Sequence, residues 1–523
     1  MKSRYFSLIL ITGLMLKVFC LADSEQCSYA GRNSKKSSQI SFRDEANSDA
    51  GLSECGNESH YEPTDVEAHT AEDPNSCTEN ETVMCDPSSP YRTINGSCNN
   101  LNHPNWGVST ECYLRFQPAY YKDFGSIRRS TKGGSLPEPR VLTLNIFKNM
   151  HRPTRNVSFM FTIFGRTVAH DLSLALQEDP PGPCCAPENK GAPECIPITV
   201  PPYDPFYSKF NVTCLEMNRT LACTSCDNAN RQQSNGATAA LDASIVYGTD
   251  DEKSNQVRAN DGTGKLKSNN TENGELLPTG KDPFDIFCYR KIESKCFFAG
   301  DVRVNQHTTL SSLQTLYMRE HNRIATEMKS LNPHWDEERL FHEARPPDVP
   351  YGNDLSSTDM QRGRDHGLAP YVHLVRFCFG SNANISSFED LAPGLMSRKN
   401  ANLLKKNYKS VDDVDLWAGA QMEHHLPGSE VGPTAACIIA KQLYATKFGD
   451  RFYFEHEGEV PSFTPDQRAS LKQCSLSRML CDNTPIKEIQ KNVMLLQSTK
   501  NPKVSCNDIP KIDLTLWKEN SSK

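Results

Sequence analysis

The stretch that decides the fold is Phe164-Gly165-Arg166-Thr167-Val168-Ala169-His170-Asp171. It lies within residues 158–176, where apolar side chains recur at the three-to-five-residue spacing that places them on one face of an α-helix. These side chains are Phe159, Ile163, Phe164, Val168, Leu172 and Leu176. A lone histidine on such a helix is usually structural, so the meaning of His170 depends on the segments that follow it.

Four more segments follow in order along the chain. They are Thr238-Ala239-Ala240-Leu241-Asp242-Ala243-Ser244-Ile245-Val246-Tyr247-Gly248, Phe298-Ala299-Gly300-Asp301-Val302-Arg303, Met318-Arg319-Glu320-His321-Asn322-Arg323 and Met360-Gln361-Arg362-Gly363-Arg364-Asp365-His366-Gly367. Together with residues 164–171 they resemble the animal haem peroxidase family, over residues 89–517. The resemblance implies a mainly α fold, a peroxidase-like helical domain with few short strands and several disulfides.

Helical periodicity in the rest of the chain agrees with that fold class. Residues 309–331 carry an apolar face, with Thr309 as the predicted N-terminal cap. Further helices are expected at 391–408, 434–448 and 465–480, and strand-like alternation is scarce.

The chemistry of the family implies roles for two residues of the motifs. A distal histidine takes a proton from peroxide and returns it to the leaving oxygen, while a distal arginine stabilises the developing negative charge. The resemblance assigns these roles to His170 and Arg303. It also places Arg362 among the residues that bind the haem.

Three positions around these residues depart from the family pattern. Ala169 stands where the family has an ester-forming Asp before the distal histidine, and Gln306 stands where it has a Glu three residues after the distal arginine. Neither ester bond to haem can form. Arg166 replaces the glutamine of the family's Trp-Gly-Gln, one helical turn before His170, and its charge is expected to oppose protonation of that histidine.

The largest departure is a missing section. Only residues 346–359 separate Glu343-Ala344-Arg345 from the Met360 motif, whereas the family has a long helical section there. That section carries the proximal histidine, so the sequence predicts an internal deletion near 345–360 and no proximal ligand. Asp359 stands where the family has the asparagine that orients this ligand. His366, His373, His424 and His425 lie downstream, and ligation by one of them is the less favoured alternative.

A calcium site is implied by the same resemblance. Asp171 follows His170, and the loop that begins at Thr238 offers hard oxygen ligands at alternate positions. The implied ligands are Asp171, Thr238, the Ala240 carbonyl, Asp242 and Ser244. The ion would tie the distal helix to this loop; the alternative is that these side chains only cap helices.

Composition and the chain ends predict a secreted protein. The 523 residues have a formal net charge of −7 and are only 37% hydrophobic, which argues against a nucleic-acid partner and repeated membrane spans. Residues 1–22 are typical of a cleaved signal peptide, because Lys17 makes the apolar run too short for a transmembrane anchor. Residues 23–88 are polar and acidic and are predicted to be a disordered or pro-segment region, and 518–523 form a tail. Nine N-x-S/T sequons predict a glycoprotein.

Twenty cysteines agree with that compartment. The resemblance implies pairs between Cys288 and Cys296, Cys378 and Cys437, and Cys481 and Cys506, with Cys85–Cys98 as a further pair. Pairing within residues 184–226 stays open, although a disulfide knot is favoured over a redox role for the CxxC of Cys223 and Cys226. Cys112 and Cys474 are the candidates for an odd thiol.

Two functions follow from these features. The favoured one is a secreted peroxidase-like pseudoenzyme with little or no turnover. It binds calcium and acts as an extracellular or matrix component. Apolar surface exposed by the deletion would allow it to associate with the matrix or with itself. The alternative is an active secreted haem peroxidase that oxidises phenolic, tyrosyl or halide substrates through an unusual axial ligand. A splice form or gene-model product could also explain the deletion, but Ala169 and Gln306 lie outside it.

Overall fold

Helices dominate the part of the chain that the computed structural model describes. It describes residues 83–519 apart from 148–155, 190, 224–229, 273, 281–287, 289–295, 343–353, 381–382 and 459–461. The predicted signal peptide, most of the predicted acidic region, Cys226 and residues 520–523 lie outside this part. No helix within it has both the length and the apolarity needed to cross a membrane.

Thirteen α-helices and eight short strands make up the described architecture. The helices are α1 Pro139–Ile146, α2 Phe159–Leu172, α3 Ser244–Tyr247, α4 Asp251–Val257, α5 Thr308–Leu331, α6 Glu337–His342, α7 Leu355–Asp365, α8 Tyr371–Phe379, α9 Arg398–Asn407, α10 Leu416–Gln421, α11 Pro433–Phe448, α12 Pro465–Leu471 and α13 Leu476–Asn483. The strands form four antiparallel pairs: β1 Ile198–Thr199 with β2 Cys214–Leu215, β3 Ala222–Cys223 with β4 Gln232–Gln233, β5 Asn269–Thr271 with β6 Gly274–Leu276, and β7 Glu488–Gln490 with β8 Lys503–Ser505. The predicted mainly α fold with few short strands is confirmed.

Several predicted helix boundaries were wrong, for local reasons. Helix α2 ends at Leu172 rather than Leu176, and α9 begins at Arg398 after its Ser397 cap rather than at Leu391. The predicted helix 465–480 is two helices, because the Ser475 side chain accepts a bond from the Arg478 amide and starts α13 afresh. The cap of α5 is His307, not Thr309: its Nδ1 accepts from the Thr309 amide at 3.1 Å.

Helix α5 is the axis of the larger of the hydrophobic clusters. Its Leu310, Tyr317, Ile324 and Met328 are buried, and they pack with residues of α2, α3, α12, α13 and the C-terminal segment. His321 is fully buried in this cluster, with Nδ1 3.0 Å from the Tyr247 hydroxyl and Nε2 2.8 Å from the Gly264 carbonyl. Its role is structural.

A second cluster joins α1, α7, α8, α9 and α10. The Met360 motif lies in α7 and supplies both apolar and charged contacts to this cluster. Met360 is buried, and Arg364 forms a two-pronged ion pair with Asp415 at 3.0 and 2.6 Å. Helix α7 is therefore fixed against α10 by a buried charge pair.

Helix α11 is apolar in sequence but poorly covered. Of its 16 residues only Thr434 and Thr446 are buried, while Tyr444 and Phe448 are 65% and 56% exposed. The predicted internal deletion would leave such a surface on any helix that the missing section covers in the family.

All four disulfides implied by the resemblance are present: Cys85–Cys98, Cys288–Cys296, Cys378–Cys437 and Cys481–Cys506. Within residues 184–226, Cys184 pairs with Cys195 and Cys185 with Cys214. The prediction that Cys112 is an odd thiol was wrong, because it pairs with Cys223 across 111 residues. Among the described cysteines Cys474 is the free one, and it is buried.

Candidate functional site

Helix α2 positions His170 at the edge of the larger core. Ile163, Phe164, Thr167 and Asp171 form its buried face. On another face Thr162, Gly165 and Ala169 are exposed, and Arg166 and His170 lie at the border between the two. Ala169, which stands at the position of the ester-forming Asp, therefore lies on an exposed face of α2.

Arg303 lies beside His170, as the motifs predict, but its guanidinium has other partners. It forms an ion pair with Asp301, with Nε 2.9 and 3.0 Å from the two carboxylate oxygens. Its remaining donors reach the end of α2, where Nη1 bonds the Ser173 carbonyl at 3.0 Å and Nη2 the His170 carbonyl at 3.2 Å. Arg303 thus closes the C-terminal end of α2.

The imidazole of His170 is shielded and surrounded by positive charge. Its Nδ1 is 4.0 Å from an Asp301 carboxylate oxygen, too long for a hydrogen bond. Burial, together with the charges of Arg303 and Arg166, lowers the pKa of His170 well below its ordinary value. The expectation that Arg166 opposes its protonation agrees with this direction.

Arg166 also acts on Asp359 of α7, which occupies the position of the ligand-orienting asparagine. Burial raises the pKa of Asp359 to about 6, while the charges of Arg166 and Arg362 and a hydrogen bond to Trp417 oppose the rise. Arg166 and Asp359, the two positions that differ from the family pattern in charge, therefore carry opposite charges and interact electrostatically. The sequence predicted each change separately but not their proximity.

The Asp359→Asn substitution is expected to stabilise the protein at neutral pH. A carboxyl pKa of about 6 in the folded chain against about 3.9 in the unfolded chain means that the folded state binds more protons between these values. Stability is therefore lost as pH rises from about 4 to about 6. Removing the carboxyl should raise the free energy of unfolding by about 3 kcal/mol at pH 7.5 and change it little at pH 4, as urea denaturation at both pH values will measure.

Arg166→Gln is the partner variant for this prediction. Loss of its positive charge should raise the pKa of Asp359 further and steepen the loss of stability with pH. Equal destabilisation by Asp359→Asn at both pH values would contradict the assignment.

A cavity of about 350 Å³ lies between α7, α10 and α11. Its walls are mostly apolar, from Met360, Leu368, Leu416, Trp417, Ile438 and Ile439 among others, and its polar residues include Asp359, Arg362 and His366. Arg362, the predicted haem contact, is held by the Asn218 carbonyl, the Thr220 hydroxyl and Asp365 at 2.9, 2.8 and 3.1 Å. The structure thus places Arg362 at this cavity, with its guanidinium bonded to the protein itself.

The residues at this cavity and those assigned to the distal side fit a haem poorly. Ala169 and Gln306, which do not line the cavity, offer no carboxylate for an ester bond. His366, the histidine among the described cavity residues, has its Nε2 2.8 Å from the Thr220 hydroxyl, and burial lowers its pKa to about 4. An axial histidine binds iron with one ring nitrogen and holds an outer partner with the other. The Thr220 bond therefore stands against ligation through Nε2.

Four of the five implied calcium ligands, in contrast, are linked by hydrogen bonds or close contacts of their side chains and backbone. Asp171, Thr238, Ala240, Asp242 and Ser244 are all buried. Asp242 Oδ1 accepts from the Thr238 hydroxyl at 2.7 Å and the Ser244 amide at 3.0 Å, and Asp171 Oδ2 accepts from the Ala243 amide at 3.1 Å. Two buried carboxylates with hydroxyl and carbonyl oxygens are a hard donor set of the kind that Ca²⁺ prefers.

The implied set has two acidic side chains, and its other donors are hydroxyl and carbonyl oxygens. No cluster of three or more His, Cys, Asp or Glu side chains that could hold a metal occurs among residues the structure describes. Ala243, between two of the ligands, has the positive φ of 61° that turns the loop back toward α2. The loop geometry is thus set by the backbone as well as by the carboxylates.

Comparisons with known proteins agree with the motifs. The family model of animal haem peroxidases matches residues 91–347 and 346–494, two parts that meet where the sequence predicts the deletion. Drosophila melanogaster peroxidase is 28% identical, over 83% of this chain and 84% of its own length, and human myeloperoxidase is 28% identical, over 84% and 78%. Aedes aegypti chorion peroxidase is also 28% identical, over 84% and 73%.

Solved structures show the same fold at lower identity. Peroxidase A from Dictyostelium discoideum superposes with a TM-score of 0.61 at 21% identity, covering 79% of this chain and all of that one. The fatty acid α-dioxygenase of Oryza sativa gives a TM-score of 0.56 at 16% identity, covering 77% of this chain and 86% of its own.

Proposed function

This chain belongs to the animal haem peroxidase family, and we propose that it is a secreted member with little or no peroxidase turnover that acts as an extracellular or matrix component. Haem binding is a property of the family. The proposal concerns what this chain does with a scaffold in which the residues that hold and use haem are changed.

The observation that carries the proposal is the engagement of Arg303. A distal arginine stabilises a developing oxyanion only if its donors are free to reach it. Here its Nε and both Nη groups bond Asp301 and the carbonyls of His170 and Ser173. Presenting more than one Nη1 donor of this guanidinium to peroxide requires breaking bonds that fix the end of α2.

The residues at and near the cavity between α7, α10 and α11 support the same conclusion. Asp359 and Arg166 bring opposite charges to the region where the family has neutral amides. His366 is bonded to Thr220, and the family section with the proximal histidine has no counterpart in the sequence. Loss of an axial ligand removes the iron site itself, whereas loss of ester bonds removes only a tether.

Secretion is supported by independent features. Residues 1–22 have the pattern of a signal peptide, and the sequence holds nine sequons. Seven disulfides among the described residues are typical of a protein that folds in an oxidising compartment. The exposed rings of α11 offer apolar surface for the predicted matrix or self-association.

Calcium is part of the proposal as a structural ion. The donors of Asp171, Thr238, Asp242 and Ser244, with the Ala240 carbonyl, would hold it. Bound there, it would balance two buried carboxylates and link α2 to the segment that leads into α3.

The test of the proposal is a haemin titration of the purified, secreted protein followed by absorbance. We expect no Soret shift beyond that of free haemin, and peroxide-dependent oxidation of a phenol no faster than with haemin alone. His170→Ala should leave both readings unchanged. A stoichiometric Soret band with oxidation that His170→Ala abolishes would establish the active alternative, and the His366→Ala spectrum would then show whether His366 is the axial ligand.

A further inference from the structure

An exposed aromatic surface lies outside the candidate site, in the hairpin that joins β1 to β2. Tyr203, Phe206 and Phe210 are 68%, 55% and 64% exposed, within eight residues of one another. The Phe206 and Phe210 rings contact each other with centroids 5.4 Å apart. Single exposed apolar residues are common, but a packed pair of exposed phenylalanines marks a surface that something covers.

The backbone of this hairpin is tied to the rest of the fold between the exposed rings. Asp204, fully buried, accepts from Arg140 Nε at 2.6 Å and from the amides of Phe206 and Tyr207 at 2.9 Å. Tyr207 lies toward Arg140 instead. The guanidinium carbon of Arg140 is 4.9 Å from the centre of the Tyr207 ring. The Cys185–Cys214 disulfide fixes the return strand.

The residue that follows these rings is a sequon asparagine. Asn211-Val212-Thr213 is an N-x-T sequence, and both Asn211 and Thr213 are exposed. Asn211 has a left-handed backbone, φ 55° and ψ 28°, at the end of the 3₁₀ turn Tyr207–Phe210. Of the nine sequons, this one alone directly follows an aromatic residue.

We propose that an N-linked glycan on Asn211 folds its first sugars over the Phe206 and Phe210 rings and covers this aromatic surface. The glycan is attached to Asn211, the residue after Phe210, and the Cα atoms of these two residues are about 3.8 Å apart. The C–H face of a pyranose ring is apolar and packs on aromatic rings, while its hydroxyls face water. A covalently attached cover loses less entropy on packing than a free partner does.

The proposal rests on secretion, since N-glycans are added in the secretory pathway. Glycopeptide mass spectrometry of the full chain expressed in a eukaryotic host, recovered separately from the medium and from the cells, separates the two claims. Asn156, Asn211, Asn269 and Asn384 are the exposed sequons of the described chain. Glycan at the other three with Asn211 bare overturns the aromatic cover alone. A chain found only in the cells, with all nine sequons bare, overturns secretion with it.

A double-mutant comparison tests the packing itself. Asn211→Gln should lower the thermal midpoint by about 2 °C and increase fluorescence of the apolar dye ANS. In a Phe206→Ser, Phe210→Ser background, Asn211→Gln should change neither reading. Equal effects in both backgrounds, or strong ANS binding by the glycosylated wild type, would overturn the proposal.

Asn269→Gln is the matched control. Asn269 is an exposed sequon on β5 whose amide contacts the Leu277 carbonyl and the Thr279 hydroxyl rather than rings. Its loss should give the same small change whether or not Phe206 and Phe210 are present. Circular dichroism of each variant checks that the fold is retained.

Discussion

Replacing Asp415 by asparagine is expected to lower the free energy of unfolding by about 3–5 kcal/mol. The carboxylate of Asp415 is buried and accepts from Arg364 at 3.0 and 2.6 Å, from Arg128 at 3.3 Å and from the Tyr408 hydroxyl at 2.9 Å. Its removal leaves two buried guanidinium groups without their counter-charge. An unpaired buried guanidinium destabilises the folded state by more than the ion pair stabilised it, because the guanidinium lost its hydration on folding.

Chemical denaturation at pH 7 measures this effect, and Asp412→Asn is the control. Asp412 is three residues away and partly exposed, and its pairing with Arg376 is long at 3.7 Å. Its loss should change stability by no more than about 0.5 kcal/mol. Burial alone would raise the pKa of Asp415, but Arg364 and Arg128 hold it below the ordinary value. The difference between wild type and Asp415→Asn should therefore shrink in acid, and similar losses in both variants at pH 7 would contradict the role given to Asp415.

The same contacts explain how the Met360 motif can be retained in a chain with a changed site. Arg364 holds α10, and Asp365 accepts from Arg219 at 2.7 Å and from the Thr220 amide at 2.8 Å. Gln361 donates to the Ile196 carbonyl at 3.1 Å. The segment that resembles a haem-site motif in sequence is here a structural junction, whose contacts need no cofactor.

Sequence patterns predicted the helices well where apolar side chains recur at helical spacing. Helix α5 follows this spacing, and polar residues on its other sides, such as Gln314 and His321, are buried as well. The break between α12 and α13 was missed although its signal was present, since Ser475 is a good N-terminal cap. Apolar spacing continues across such a break, so periodicity alone does not show it.

The candidate site was predicted only as a set of residues. His170 and Arg303 lie side by side, but the direction of the Arg303 guanidinium depends on Asp301 and on the carbonyls at the end of α2. The proximity of Arg166 and Asp359, and the pairing of Cys112 with Cys223, depend on how distant segments pack. No local pattern encodes such contacts.

Removal of calcium is expected to destabilise the protein by about 4 kcal/mol when the free ion in the reference buffer is a thousand times its Kd. Asp171 and Asp242 are fully buried, and both lie against the Ala243–Ser244 turn. Ser244 Oγ is 3.5 Å from Asp171 Oδ1. Without a cation, the negative charges of the two carboxylates repel each other in a medium of low polarity. Thermal unfolding in excess calcium and in EGTA measures the effect, and Mg²⁺ should restore less because it demands a tighter octahedral shell.

Asp242→Asn separates ion binding from general damage to this loop. The amide keeps an oxygen that can accept from Thr238 and removes one of the two charges, so the variant should lose the calcium response. In EGTA it should be at least as stable as the wild type, because the repulsion between carboxylates is gone. Asp250→Asn is the control: Asp250 is exposed and caps α4 by accepting from the Lys253 amide at 2.8 Å. Asparagine is also a good cap, so this variant should respond to calcium as the wild type does. Identical wild-type unfolding in calcium and in EGTA would rule out the ion and leave Asp171 and Asp242 as hydrogen-bond acceptors of the turn.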